Sequence, residues 1–244
     1  MLALFSKEVR AFFSNVTGYL VIALFLIVLG MMMWVLPDFS VFEYPYASLD
    51  SLFDVSPLVF LFLIPAVCMR SFSEEINQGT IETLYTKPLS LWQIVLGKYL
   101  GNFALVLLAL IPTLIYVYTV WQLGSPKGNI DLGQIMGSYI GLIFLAAAFA
   151  AIGLLASALT PNQVSAFILA AAICFLLHYG MYYFSRLPFF SGAGDLLVQK
   201  IGIDYHYRSL SRGVIDLRDL IYFSSLIAFL LYTTYLILLK KRNG

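Results

Sequence analysis

Six apolar runs of about membrane-crossing length govern what this chain can fold into. A helix needs about 20 apolar residues to cross about 30 Å of hydrocarbon, and such runs cover 18–36, 52–69, 94–121, 135–159, 164–184 and 220–239. Lipid offers backbone groups no hydrogen-bonding partners, so each run must close its own bonds as a helix. The expected fold class is therefore an all-α integral membrane protein with six transmembrane helices. Composition agrees: 61% of the 244 residues are hydrophobic and 11% charged, against about 25% charged in soluble domains. The spans consume most of the length, so 1–244 reads as one transmembrane domain without room for a soluble catalytic unit.

The runs differ in regularity. Pro57 and Pro65 interrupt 52–69, and a proline inside a helix removes a hydrogen bond and bends it. Pro112 is expected to kink the long run 94–121. Trp34, Trp92, Trp121, Tyr182 and Tyr183 stand at run ends, as amphipathic rings do at headgroup level.

An even number of spans puts both termini on one side. With that side inside, Lys7, Arg10, Arg70, Lys87, Lys98, Lys240, Lys241 and Arg242 face Lys127, Arg186, Lys200, Arg208, Arg212 and Arg218 outside, eight cations against six. The first outer loop carries Asp38, Glu43, Asp50 and Asp54 and no Lys or Arg. Both features favour termini inside.

Residues 1–17 mix apolar and charged side chains at helical spacing, as an interfacial helix on the inner leaflet does. The following run is too long for a signal peptide and ends at Trp34-Val-Leu-Pro37 without a small-residue cleavage site, so the segment is expected to be retained. The chain then divides into two spans (18–71), an inner segment (72–93), three spans (94–184), an outer loop (185–219) and a last span with a basic tail (220–244). The outer loop contains amphipathic fragments such as Asp195-Leu-Leu-Val-Gln-Lys-Ile201, too short to cross, which either dip into the outer leaflet or cap a pore.

The inner segment contains the one extended polar island, 70–88. Ser71 and Glu74 match a capping box, in which hydroxyl and carboxylate satisfy orphan donors at a helix start. Gly79-Thr80 breaks that helix, and Thr80 is expected to cap a second turn ended by Lys87-Pro88. In that turn Ile81, Leu84 and Tyr85 share one face, while Glu82 and Thr83 point elsewhere. The residues alone leave two readings, a solvated connector and a docking surface for another protein.

Other features are weaker. Gly133, Gly137 and Gly141 form a small-residue face suited to close helix packing, either within one subunit or between two. Cys174 and His178 share a helix face, but without a third ligand nearby they read as packing rather than as a metal site. Cys68 also lies in an apolar run, so no disulfide framework is expected. Arg186, Asp195, His206 and Arg208 read as solvated loop residues. Leu96-Gly-Lys-Tyr99 lacks the leading glycine and the hydroxyl of a phosphate-binding loop. No catalytic residue, cofactor site or metal site is expected, and the net charge of +1 argues against nucleic acid as a partner.

The run Glu74-Glu75, Gly79-Thr80-Ile81-Glu82, Leu84 and Pro88 resembles the E-x-x-x-G-T-[IL]-E-x-L segment of ABC-2-type transporter permeases. Six spans, an interfacial first helix and an outer loop before the last helix are similar too. The resemblance implies a permease subunit of the bacterial inner membrane whose energy comes from ATP hydrolysed by a separate ABC ATPase subunit. It implies that Glu74, Glu75, Gly79, Thr80, Ile81, Glu82, Leu84 and Tyr85 form the coupling helix that meets this ATPase. It also implies a second permease copy or a homologous membrane subunit. Within the family, the island and Ser211-Arg-Gly-Val-Ile-Asp-Leu-Arg-Asp-Leu-Ile-Tyr222 look most like gliding-motility permeases, which points to export or machine assembly. The alternative is a secondary transporter or channel with no ATPase partner, which predicts inverted repeats around a midplane site; no such repeat is visible. An intramembrane hydrolase would need a paired Ser–His or Asp–Asp at membrane depth, and none occurs.

Overall fold

The computed structural model describes residues 1–43, 47–86, 88–190 and 193–243. Among them there is no strand. Five helical segments are long and apolar enough to cross a membrane: Asp50–Asn77, Leu91–Leu123, Leu132–Leu159, Gln163–Ser185 and Leu217–Asn243. A sixth candidate crossing is the bent pair of α1 (Leu2–Phe13) and the apolar α2 (Val16–Trp34), which meet at 71°. The apolar runs thus become helices, most of whose ends lie within four residues of the ends of the runs. Asn162 accepts from the backbone N–H groups of Val164 and Ser165 to start α9 (Gln163–Phe175), and Asp131 accepts from that of Gln134 to start α8 (Leu132–Leu159). These side chains satisfy donors that a helix start leaves unpaired.

The bundle is built around α8, whose most apolar window is 83% buried, against 22–33% for the third, fifth and sixth crossings. Residues 145–158 of α8 are all buried and half of them are alanine, which lets neighbouring helices approach its backbone. Packed around it are α3 (Asp50–Cys68), α6 (Leu91–Leu110), α9 and α13 (Leu217–Asn243). The crossings alternate, so α1 and the end of α13 lie at the same end of the bundle as the polar island. The Lys241 ammonium donates to the carbonyl of Ala158 at 2.7 Å, a cation at the negative end of α8.

Proline interrupts the α-helix of the third crossing but not that of the second. α3 runs unbroken through Pro57 and Pro65. Pro57 has no N–H for the carbonyl of Phe53, four residues back, and the Tyr207 hydroxyl supplies the missing donor at 2.6 Å. In the third crossing Pro112 sits in a 3₁₀ turn, Ile111–Thr113, between α6 and α7 (Leu114–Leu123). The fifth crossing carries a π-helical turn, Leu176–Gly180, before α10 (Met181–Ser185), which no residue pattern announced.

Two expectations change, and one open choice narrows. Asp50 and Asp54 belong to α3 rather than to the first outer loop. The 185–219 loop is mostly helical, with α11 (Ala193–Ile201) and α12 (Ile203–Leu210), and α12 packs into the bundle. Asp204, His206 and Asp219 are buried there, so this segment is not simply bathed in water. The Gly137–Gly141 face is taken up by this same chain: a Cβ on Gly137 would lie 2.6 Å from the Gly213 Cα, and one on Gly141 3.1 Å from the Leu210 Cβ. At Gly133 it would meet only the Asp131 carboxylate, at 3.2 Å.

Candidate functional site

The island folds as two short helices joined by a sharp turn. α4 (Ser73–Asn77) and α5 (Ile81–Tyr85) flank Gly79, whose φ of +68° lies in the left-handed region that favours glycine. The Gly79-Thr80 break is therefore where the sequence placed it. The caps are not. Ser71 does not cap α4, because its hydroxyl accepts from the Asn102 amide at 2.7 Å and its carbonyl accepts from Lys98 at 2.6 Å. Ser73 instead donates to the carbonyl of Met69. The Thr80 side chain does not cap α5 either; its hydroxyl turns back to the carbonyl of Glu75. Tertiary partners outcompete the local bonds. Lys87 lies outside the described residues.

One buried cation organises this end of the bundle. Lys98, on α6, is 1% exposed. Its ammonium lies 2.9 Å from Glu8 of α1, 3.0 Å from Glu75 of α4 and 2.6 Å from the Ser71 carbonyl. An ammonium has three donors, and three acceptors meet them. Lys7 adds an exposed contact to Glu75 at 3.3 Å, and the Lys98 ammonium stands 5.1 Å from the Phe72 ring centre. A buried lysine is tolerated only with such compensation. The close approach of α1 depends on Gly97 and Gly101: a Cβ there would meet Leu4 at 3.1 Å and Glu8 at 2.9 Å.

The exposure of α5 separates two kinds of residue. Leu84 is 5% exposed and joins the core, while the Tyr85 hydroxyl donates to the carbonyl of Leu238 at 3.4 Å. Burial, with a smaller contribution from the nearby Glu75 carboxylate, pushes the Tyr85 phenol above its usual range, against the lowering effect of Arg242. Ile81 is half-buried against the same core. Gln78, Gly79, Thr80, Glu82 and Thr83 are exposed. Glu74 is half-buried and accepts from Gln78 at 3.3 Å. Of the eight sequence-predicted residues, Gly79, Thr80 and Glu82 thus form the outward surface, Glu75 belongs to the lysine clasp, and Leu84 and Tyr85 hold α5 to the bundle. Between α1, the end of α3 and the island lies an open cavity of 480 Å³ with Glu74, Glu75 and Lys98 among its walls.

The sequence reading missed Lys98, Glu8 and Asn102 as site residues. A signal was present: Lys98 falls inside the apolar run 94–121, and an ionisable residue inside a span marks a function or a partner. Gly97 and Gly101 repeat at the same spacing as the glycine face that was recognised on α8. Cys68 and Cys174 are buried free thiols, and among the described residues no group of three His, Cys, Asp or Glu side chains is placed to hold a metal.

An apolar bundle of this length and helix order, with a braced polar elbow at one end, defines a multi-pass helical membrane protein. Residues 2–187 match the family model of ABC-2 family transporter proteins, and the chain belongs to that family. The match ends before α11, α12 and α13. No curated protein matched the chain.

Proposed function

We propose that this chain is the membrane-spanning permease subunit of an ATP-driven ABC complex, and that the α4–α5 elbow docks its ATPase. The observation that carries this reading is the division of labour in the elbow. Its exposed residues, Gln78 to Thr80 with Glu82 and Thr83, stand on a support fixed by Lys98, Glu8 and Glu75. A solvated connector needs no buried ion cluster behind it. Force applied at the elbow reaches α1 and α6 through Lys98, and the core through Leu84.

On this reading ATP binds and is hydrolysed in the partner, and both termini lie on the cytoplasmic side of a bacterial inner membrane. A second permease copy or a homologous subunit completes the pathway. The Gly137–Gly141 face is already occupied by α12 and α13's preceding turn, so the outer faces of α6, α9 and α13, which are largely unburied, are left for that subunit and for lipid. The resemblance of 70–88 and 211–222 to gliding-motility permeases favours a complex that drives export or machine assembly.

Affinity purification from the native membrane tests the proposal. ATP hydrolysis is expected to co-purify with the wild-type chain and to be lost with Glu82→Ala combined with Leu84→Ala. Purification without any ATPase, or undiminished recovery with the double variant, contradicts it.

A further inference from the structure

At the other end of the bundle, α10, α11, α12 and the start of α13 enclose an open cavity of 580 Å³. Its charges do not cancel. Asp204 is spent on Arg208, with contacts of 3.0 and 2.9 Å. Asp219 meets His206 through one oxygen, 2.7 Å from Nδ1, while its other oxygen has no hydrogen-bond partner and the second ring nitrogen lies 2.9 Å from the Lys200 carbonyl. Asp216 accepts from the backbone N–H of Arg218 at 2.9 Å. The exposed side chains of Lys200, Arg212 and Arg218, all lining the cavity, have no acceptor among the described residues. Three unpaired cations thus stand against Asp216 and the one free oxygen of Asp219.

Two further observations bear on what fits there. His178, at the cavity wall and 1% exposed, has an Nδ1 without a hydrogen-bond partner, and such buried orphan atoms call for an unseen water, ion or ligand. Beside the cavity, Leu196, Leu197 and Ile201 of α11, with Val214, Ile215 and Leu217, are exposed apolar residues. A short amphipathic helix of this kind lies at the headgroup level of a bilayer.

We infer that this cavity binds the phosphate of a lipid-like amphiphile, with Lys200, Arg212 and Arg218 taking the phosphate and the α11 side taking the apolar tail. Arginine forks match phosphate oxygens in pairs, and a surplus of cations beside an apolar ledge fits an anionic headgroup better than a neutral or cationic solute. The family match does not reach Lys200, Arg212 or Arg218. The inference stands apart from the coupling proposal, because binding is measured on the permease without an ATPase.

The test is native mass spectrometry of the full chain with phosphatidylglycerol, repeated with glycerol phosphate and with inorganic phosphate as competitors. Arg212→Gln with Arg218→Gln, two exposed positions, is expected to weaken lipid retention about tenfold or more, since charge-assisted bonds to phosphate are lost. Lys127→Gln, which removes an exposed cation outside the cavity, is expected to leave retention unchanged. Competition by glycerol phosphate at matching affinity supports the phosphate site and assigns it to a free phosphate ester rather than a lipid. Equal retention by the double variant and the wild type, or an equal loss with Lys127→Gln, overturns the inference.

Discussion

The Tyr207 hydroxyl donates at 2.6 Å to the carbonyl of Phe53, the group that Pro57 deprives of its helical partner. A side chain from the 185–219 segment thereby repairs α3 and ties α12 to it. Tyr207→Phe keeps the ring and removes only the donor. A buried carbonyl left unpaired costs about 1–3 kcal/mol, so thermal unfolding in detergent should show a lower melting temperature. A Pro57→Ala change, which restores the backbone donor, should recover most of that loss in the double variant.

Lys98 predicts a different pattern. Lys98→Met leaves Glu8 and Glu75 facing each other without their shared cation, and breaking a buried ion pair typically costs about 3–5 kcal/mol. Replacing the whole cluster by uncharged groups is often close to neutral. Lys98→Met combined with Glu8→Gln and Glu75→Gln should therefore melt closer to the wild type than Lys98→Met alone. A triple variant less stable than the single one would show that the cluster does not act as a unit.

The glycine face of α8 separates into positions of unequal cost. Gly137→Ala drives a methyl group into the backbone at Gly213, and overpacking of this kind costs about 1–3 kcal/mol. Gly133→Ala meets only the end of a side chain. Limited proteolysis should cut the 185–219 segment faster in Gly137→Ala than in Gly133→Ala.

The crossings were legible because the requirement for helix in lipid is written in run length, and the elbow because Gly79 interrupts a short amphipathic pattern. Side-chain destinations were not legible. Ser71 and Thr80 carry the chemistry of caps, yet Asn102 and Lys98, about 30 residues from Ser71, decide where Ser71 bonds. Lys98 looked like a flanking cation because charge counting assigns a residue to a side of the membrane and says nothing about burial. The ordered 185–219 segment was hidden for a related reason. Its polar residues pair with one another and with Phe53, and those contacts span up to 154 positions, beyond the reach of any local pattern.

The elbow itself predicts that stability and coupling come apart. Leu84→Ala opens a cavity in the bundle and should cost about 2–5 kcal/mol, whereas Glu82→Lys changes an exposed side chain and should leave the unfolding free energy within about 0.5 kcal/mol of the wild type. Circular dichroism melts of the two purified variants check this directly.

The most direct test of the coupling account is the ATP hydrolysis retained by affinity-purified Glu82→Lys with Thr83→Lys, measured beside its melting temperature. The account predicts a chain as stable as the wild type that has lost the ATPase activity purifying with it. Full retention of that activity by an equally stable variant would contradict the elbow as the place where chemical energy enters.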